Sequence, residues 1–93
     1  MEITREEAGN KGTFTAQENN LKAGEMTYTW AGADKIIIDH TEVDPEFGGK
    51  GVGKELVMAA VEFAREKQIK IMPLCPFAKS VFEKDTSIKD VMF

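Results

Sequence analysis

The sequence predicts an α/β fold of the α+β kind: a mixed sheet of a four-strand antiparallel meander plus one parallel strand, with two main helices. Three observations predict it. Residues 1–43 read as short strands broken by turn signals, with apolar side chains at period two. Residues 52–67 switch to a helical period. A glycine-rich loop, EFGGKGVGKE at 46–55, joins the two regimes. A chain of 93 residues is expected to form one domain over 1–93, with one modest core.

EITREEA reads as a short first strand, and GNKG at 9–12 as a turn. TFTAQE alternates Phe14 and Ala16 against Thr13, Thr15 and Gln17, as a half-buried strand does. Asn19 and Asn20 tolerate the left-handed region and mark the next turn. LKAGEMTYTW places Met26, Tyr28 and Trp30 on one face. AGAD at 31–34 turns again. KIIIDHTEV is rich in β-branched residues and predicts a central strand buried on both faces. Short connections make these four strands an antiparallel meander.

The helix from Val52 to Lys67 sets Val52, Leu56, Val57, Ala60, Val61, Phe63 and Ala64 against Lys54, Glu55, Glu62, Arg65 and Glu66. IKIMPL predicts a short strand, with Pro73 implying an edge or a bulge. A right-handed crossover makes it the parallel neighbour of the fourth strand. Pro76 opens a second helix with Phe77, Ala78, Val81 and Phe82 on its apolar side. Phe77 and Val81 are expected in the core. The tail DTSIKDVMF is expected to form either a turn or a strand that packs Val91 and Phe93 on the sheet.

The net charge of −4 argues against a general nucleic-acid binder, which carries a basic stripe. No apolar run approaches about 18 residues, so no membrane span is expected. Cys75 is the only cysteine, which excludes an internal disulfide and fits a cytoplasmic protein. MEITREEAGN lacks the apolar centre of a signal peptide.

Four glycines stand within positions 48–53. Glycine at this density marks a tight turn or a close approach to a ligand. Gly48 to Lys54 fits the spacing of a nucleotide P-loop, but Glu55 stands where a magnesium-binding Ser or Thr is needed. Gly49 and Gly51 begin a dinucleotide fingerprint, but Lys54 takes the place of its third glycine. The third reading is a cradle for the pyrophosphate of an acyl-CoA. It needs a strand, a turn and a helix N-terminus with free N–H groups. Lys50 and Lys54 add positive charge there. A plain glycine-rich turn without a ligand also stays open.

HTEVDPEFGGKGVGKELV resembles the GNAT acetyltransferase superfamily, in which a strand ends in V-x-P-x-x-R-G-x-G-x-G before a long amphipathic helix. Val43, Pro45, Gly48, Gly49, Lys50, Gly51, Val52 and Gly53 fall on that run. Gly48 departs from it, standing where the family usually has Gln or Arg. By element order the resemblance covers residues 14–85, and the chain looks like a minimal member lacking most of the acceptor-binding region.

The resemblance implies acetyl-CoA as cofactor and an amine of an unidentified acceptor, with a protein or peptide as the expected class. No nucleic-acid or membrane partner is expected, and the chain is expected to be a monomer or weak dimer. Thr41, Glu42 and Val43 would line the pantetheine arm, and Gly48 to Lys54 would hold the pyrophosphate. Alternation puts His40 and Glu42 on one face of their strand, with Asp39, Thr41 and Val43 on the other. His40 or Glu42 is a candidate base; each can equally be a structural or solvated group. Cys75, as N-cap before Pro76, is a candidate acid for the leaving thiolate, a transient acyl carrier, or a buried small side chain. A non-enzymatic acyl-CoA-binding module is the alternative to an enzyme.

Overall fold

The computed structural model describes all 93 residues. Five strands form one sheet in the order β1-β2-β3-β4-β5: β1 Glu2–Ala8, β2 Lys11–Glu18, β3 Leu21–Trp30, β4 Lys35–Val43 and β5 Lys70–Pro73. The first four are antiparallel neighbours, and β5 runs parallel to β4. Helix α1, Val52–Lys67, makes the crossover, and α2, Pro76–Lys84, follows β5. Short 3-10 turns occupy Pro45–Phe47 and Thr86–Val91.

Local chemistry explains the joints. Asn19 and Asn20 both take positive φ (53° and 64°), the geometry that matches a two-residue hairpin to the twist of its strands. Helix α1 ends at Gln68 in the left-handed region, with its N–H returned to Ala64 and Arg65 carbonyls. The buried hydrophobic residues form one cluster between the sheet and the helices. Leu56, Val57, Ala60, Val61 and Ala64 of α1 meet Phe14, Met26, Tyr28, Ile36 and Ile38 of the sheet there. Burying a side chain of Leu, Ile or Phe size contributes about 1.5–3 kcal/mol, so this face dominates stability.

Gly12 is required by packing. A β-carbon there would lie 2.2 Å from Cζ of Tyr28, whose ring is 1% exposed. The ring crosses over Gly12 to reach β1, where its hydroxyl donates to Glu7 Oε1 at 2.7 Å. Trp30 Nε1 donates to the same oxygen at 2.7 Å, and Arg5 Nη1 donates to the Tyr28 hydroxyl at 3.0 Å. The hydrogen bonds from Trp30 and Tyr28 hold the Glu7 carboxyl below the usual range. Gly12→Ala is expected to cost about 2–3 kcal/mol by overpacking and to lower Tm by about 10–20 °C, read by thermal denaturation. An unchanged Tm would show that the ring is free to move.

The sequence-based expectations need correction at four places. β4 is buried on both faces only in part: Ile36 and Ile38 are fully buried, Ile37 is half-buried, and Asp39, His40 and Glu42 are exposed. Asp39 does not share a face with Thr41, because a bulge intervenes. Phe77 is not core; it is 41% exposed. Phe93 is also exposed, under the Lys35 ammonium at 3.7 Å, while Ile88 and Val91 pack inward and Met92 makes an isolated bridge to Ile71.

Candidate active site at the fork between two parallel strands

β5 pairs with only the first part of β4, from Lys35↔Lys70 to Ile38↔Pro73. The pairing stops there because the chain turns: the N–H groups of Leu74 and Cys75 both donate to the Ile38 carbonyl, at 3.3 and 3.2 Å. β4 continues to Val43 against β3 alone. One edge of Asp39–Val43 therefore has no strand beside it, and the two strands part as a fork. Helix α2 begins in the fork, with Cys75 as N-cap and Pro76 in its first turn.

The bulge decides what faces the fork. Tyr28 pairs with Ile38 and Thr27 with His40, so Asp39 has no partner on β3. Strict alternation from Ile36 and Ile38 would turn His40 towards the helices. The extra residue resets the phase. Thr41 now pairs with fully buried Met26 and faces α2, and Val43 pairs with Gly24. Asp39 accepts a hydrogen bond from Thr29 Oγ1 at 2.6 Å. His40 and Glu42 point away from the helices; their side chains are 67% and 71% exposed, with Nε2 and Oε2 3.6 Å apart.

Cys75 is 6% exposed, and its thiol donates to Thr41 Oγ1 at 3.5 Å. Burial raises the thiol pKa, but the Thr41 hydroxyl and the main-chain N–H groups of Ala78 and Phe77 outweigh it and hold the pKa below the ordinary thiol value. Those N–H groups lie near the sulfur without closing a cap hydrogen bond, so they act through their dipoles. The structure thus joins Cys75 to Thr41 at the fork and sets His40 with Glu42 on the opposite face of β4.

The glycine loop lies beyond the end of β4. Asp44 accepts from the Glu46 N–H at 2.9 Å and starts the 3-10 turn, which buries Phe47. Gly48 gives its N–H to the Pro45 carbonyl, and Lys50 gives its own to the Phe47 carbonyl. Gly49 and Gly51 adopt φ of 79° and 76°, the left-handed region that glycine enters freely. The N–H groups of Gly49, Gly51, Val52, Gly53 and Lys54 have no acceptor in the protein. They belong to the first turn of α1 and the residues leading into it, where the helix dipole is positive. No carboxylate lies within 4.0 Å of the Lys50 or Lys54 ammonium. Donors, dipole and lysines without a carboxylate partner are the arrangement that suits an anion, in a chain that is acidic as a whole.

Two glycines keep loop and fork together. A β-carbon at Gly24 would sit 2.7 Å from the Glu42 carbonyl oxygen and 3.1 Å from Val52 Cγ1, so the end of β4 and the start of α1 close on β3 there. A β-carbon at Gly53 would sit 2.5 Å from Cζ of Phe77, whose ring lies across the first turn of α1.

The profile of the GCN5-related N-acetyl-transferase family matches residues 13–91. The chain belongs to that family. A GCN5-like protein from Staphylococcus aureus is 44% identical, with a TM-score of 0.72; the match covers 99% of this chain and 87% of that one. A Bacillus anthracis protein solved in complex with acetyl coenzyme A is 25% identical, with a TM-score of 0.60 over 71% of this chain and 39% of that one. Protein NATD1 of Xenopus tropicalis is 34% identical over 50 residues, which cover 54% of this chain and 46% of that protein. The chain thus matches about half of that relative's length. In this N-acetyltransferase fold the sequence did not single out the Thr41 hydroxyl or the exposed ring of Phe77. Helical period alone assigns Phe77 to the core, and the partnership of Thr41 with Cys75 spans 34 positions.

Proposed function

We propose that the chain is an acetyl-CoA-dependent N-acetyltransferase that moves acetyl to an amine on a protein or peptide. The observation that carries this is the continuous path from five unpartnered N–H groups at Gly49–Lys54 to the open edge of β4 and Cys75. Acetyl-CoA fits that path from both ends. Its pyrophosphate meets Gly49, Gly51, Val52, Gly53 and Lys54, with Lys50 adding charge, and its pantetheine arm runs along the free main chain of Thr41, Glu42 and Val43. Gly48 shapes the turn, its own N–H being engaged.

In this reading the acceptor amine enters from the exposed face of β4. His40 or Glu42, 3.6 Å apart, takes its proton directly or through water. The amine attacks the thioester carbonyl, the carbon–sulfur bond breaks, and the Cys75 thiol on the other side of β4 protonates the departing CoA thiolate. A large acceptor suits the open face of β4, where the His40 and Glu42 side chains are 67% and 71% exposed. The setting is a cytoplasmic, single-domain protein acting as a monomer or weak dimer.

The lowered thiol pKa of Cys75 favours a second reading, in which Cys75 itself takes the acetyl group before passing it on. A non-enzymatic acyl-CoA-binding module is the third. Isothermal titration with acetyl-CoA and with ATP tests all three. Acetyl-CoA is expected to bind at least about tenfold more tightly than ATP; preferential binding of ATP would overturn the proposal. Intact-mass measurement after incubation with acetyl-CoA then separates the readings. A stable acetyl adduct on Cys75 supports the acyl carrier, and acetylation of an added lysine peptide without an adduct supports direct transfer.

A further inference from the structure

Both helices pack on one face of the sheet, and the other face is uncovered. On β4 that open face presents Lys35, Ile37, His40 and Glu42 in order, with Asp39 held to Thr29 in the bulge. The register gives each of them a neighbour. Lys35 pairs with Lys70 and Ile37 with Met72 on β5. His40 pairs with Thr27 and Glu42 with Glu25 on β3. The candidate base His40 thus stands between an apolar pair and an acidic pair.

Two like-charged pairs therefore face each other across strands, one towards each end of β4. Such pairs destabilise a sheet unless another group relieves them. The lysine pair is relieved within the fold: Lys35 lies over the Phe93 ring, and Lys70 donates to the Asp90 carbonyl at 2.6 Å. The glutamate pair is relieved on one side. Lys22 bonds Glu25, while Glu42 has only the His40 ring within 4.0 Å. Between the ends of β3 and β4 opens a cavity of about 220 Å³, with Glu25, Glu42, Asp44 and Lys22 on its walls. Three carboxylates against one ammonium leave it negative. No group of three His, Cys, Asp or Glu side chains converges closely enough to hold a metal ion. The cavity suits the larger head of an ammonium or guanidinium group.

We infer that the acceptor lies extended across this open face and is read at two places. A cationic side chain enters the cavity at Glu25 and Glu42 on one side of the reactive amine. An apolar side chain rests on Ile37 and Met72 on the other. The inference rests on the acetyltransferase reading above. Charge fixes the polarity. A cation at the Ile37 end would meet Lys35 and Lys70, whereas at the Glu42 end it relieves the glutamate pair. Each strand residue advances about 3.3 Å, which sets Glu42 about 7 Å from His40 along β4 and Ile37 about 10 Å the other way. Those spans match two and three residues of an extended peptide. Glu25 is the specificity-determining residue, because it lines the cavity and takes no part in the proposed proton transfer.

Acetylation of synthetic peptides by the full chain at fixed acetyl-CoA, followed by mass spectrometry, tests this. Each peptide has a capped N-terminus and one lysine, with Leu three positions to one side and Arg two positions to the other, and is made in both chain directions. The better direction is expected to give a kcat/KM at least about tenfold above the same peptide with Gln for Arg. It is expected to exceed the peptide with Ser for Leu by about threefold. Added salt should shrink the first ratio and spare the second. Glu25→Gln is expected to bring the Arg-to-Gln ratio below about threefold. Met72→Gln is expected to abolish the preference for Leu and keep that for Arg. Both side chains lie on the uncovered face, so circular dichroism should show an unaltered fold. Equal kcat/KM for the Arg and Gln peptides in the unsubstituted protein, or an undiminished ratio in Glu25→Gln, would overturn the inference and leave the acetyltransferase reading standing. Binding of acetyl-CoA without acetylation of any peptide would overturn this inference and transfer to a peptide together.

Discussion

Cys75→Ala is expected to slow acetyl transfer at least about a hundredfold and to leave acetyl-CoA affinity within about twofold. The asymmetry follows from placement. The sulfur sits at the fork with Thr41 Oγ1 as its side-chain partner and takes no part in the glycine loop, so on the proposed reading its loss removes a proton donor and leaves the loop's N–H groups in place. Alanine leaves a small void among Thr41 and the first turn of α2, costing about 1 kcal/mol of stability. The pH profile adds a sign. Burial alone would raise the thiol pKa; the Thr41 hydroxyl and the N–H groups of α2 bring it below the ordinary value. A Cys75 that acts as an acid must be protonated, so its limb of kcat falls as pH rises, beginning below the pH at which a free thiol ionises. An acyl-carrier thiolate gives the opposite limb, rising over the same interval. Thr41→Val removes the hydroxyl and should move that limb to higher pH, a change that a merely structural cysteine would not produce. Full activity in Cys75→Ala would remove Cys75 from the chemistry.

Much of the fold was legible because it is written in local chemistry. Asn19 and Asn20 mark a hairpin by their tolerance of positive φ, and Pro76 marks a helix start by its missing N–H. The α1 stripe follows from period alone. The glycine loop was legible for the same reason, since its residue types and order carry the resemblance. What escaped depends on pairing between distant segments. The bulge at Asp39 exists only in the register of β4 against β3, and no property of KIIIDHTEV by itself announces it. It nevertheless decides which side chains enter the fork, turning Thr41 in and His40 out. Phe77 escaped for a related reason: it lies at a helical apolar position, but that position is at the mouth of the fork against Gly53, where no further layer covers it. Gly12 reads as a turn residue, yet its place in the packing is to let the ring of Tyr28, its partner on the neighbouring strand, pass over it.

Gly51→Asp tests the cradle with little disturbance to the fold, and is expected to weaken acetyl-CoA binding by about a hundredfold. Gly51 precedes α1 with φ of 76°, and a β-carbon built there meets no atom within 4 Å. Aspartate is among the non-glycine residues that enter the left-handed region most readily. The substitution therefore adds a charge rather than a clash. A carboxylate about 6 Å from one phosphate charge, at an effective dielectric of about 20, opposes it by about 2–3 kcal/mol, which corresponds to about a hundredfold in affinity. The penalty should shrink as salt is added, because the loop is exposed. Gly51→Asn carries nearly the same shape and backbone strain without the charge, and should lose only a few-fold. The comparison of the two variants isolates electrostatics from geometry. If Asp and Asn weaken binding equally, the loop acts through its shape alone. If neither weakens it, the pyrophosphate does not lie on these N–H groups, and the glycines serve only to turn the chain from β4 into α1.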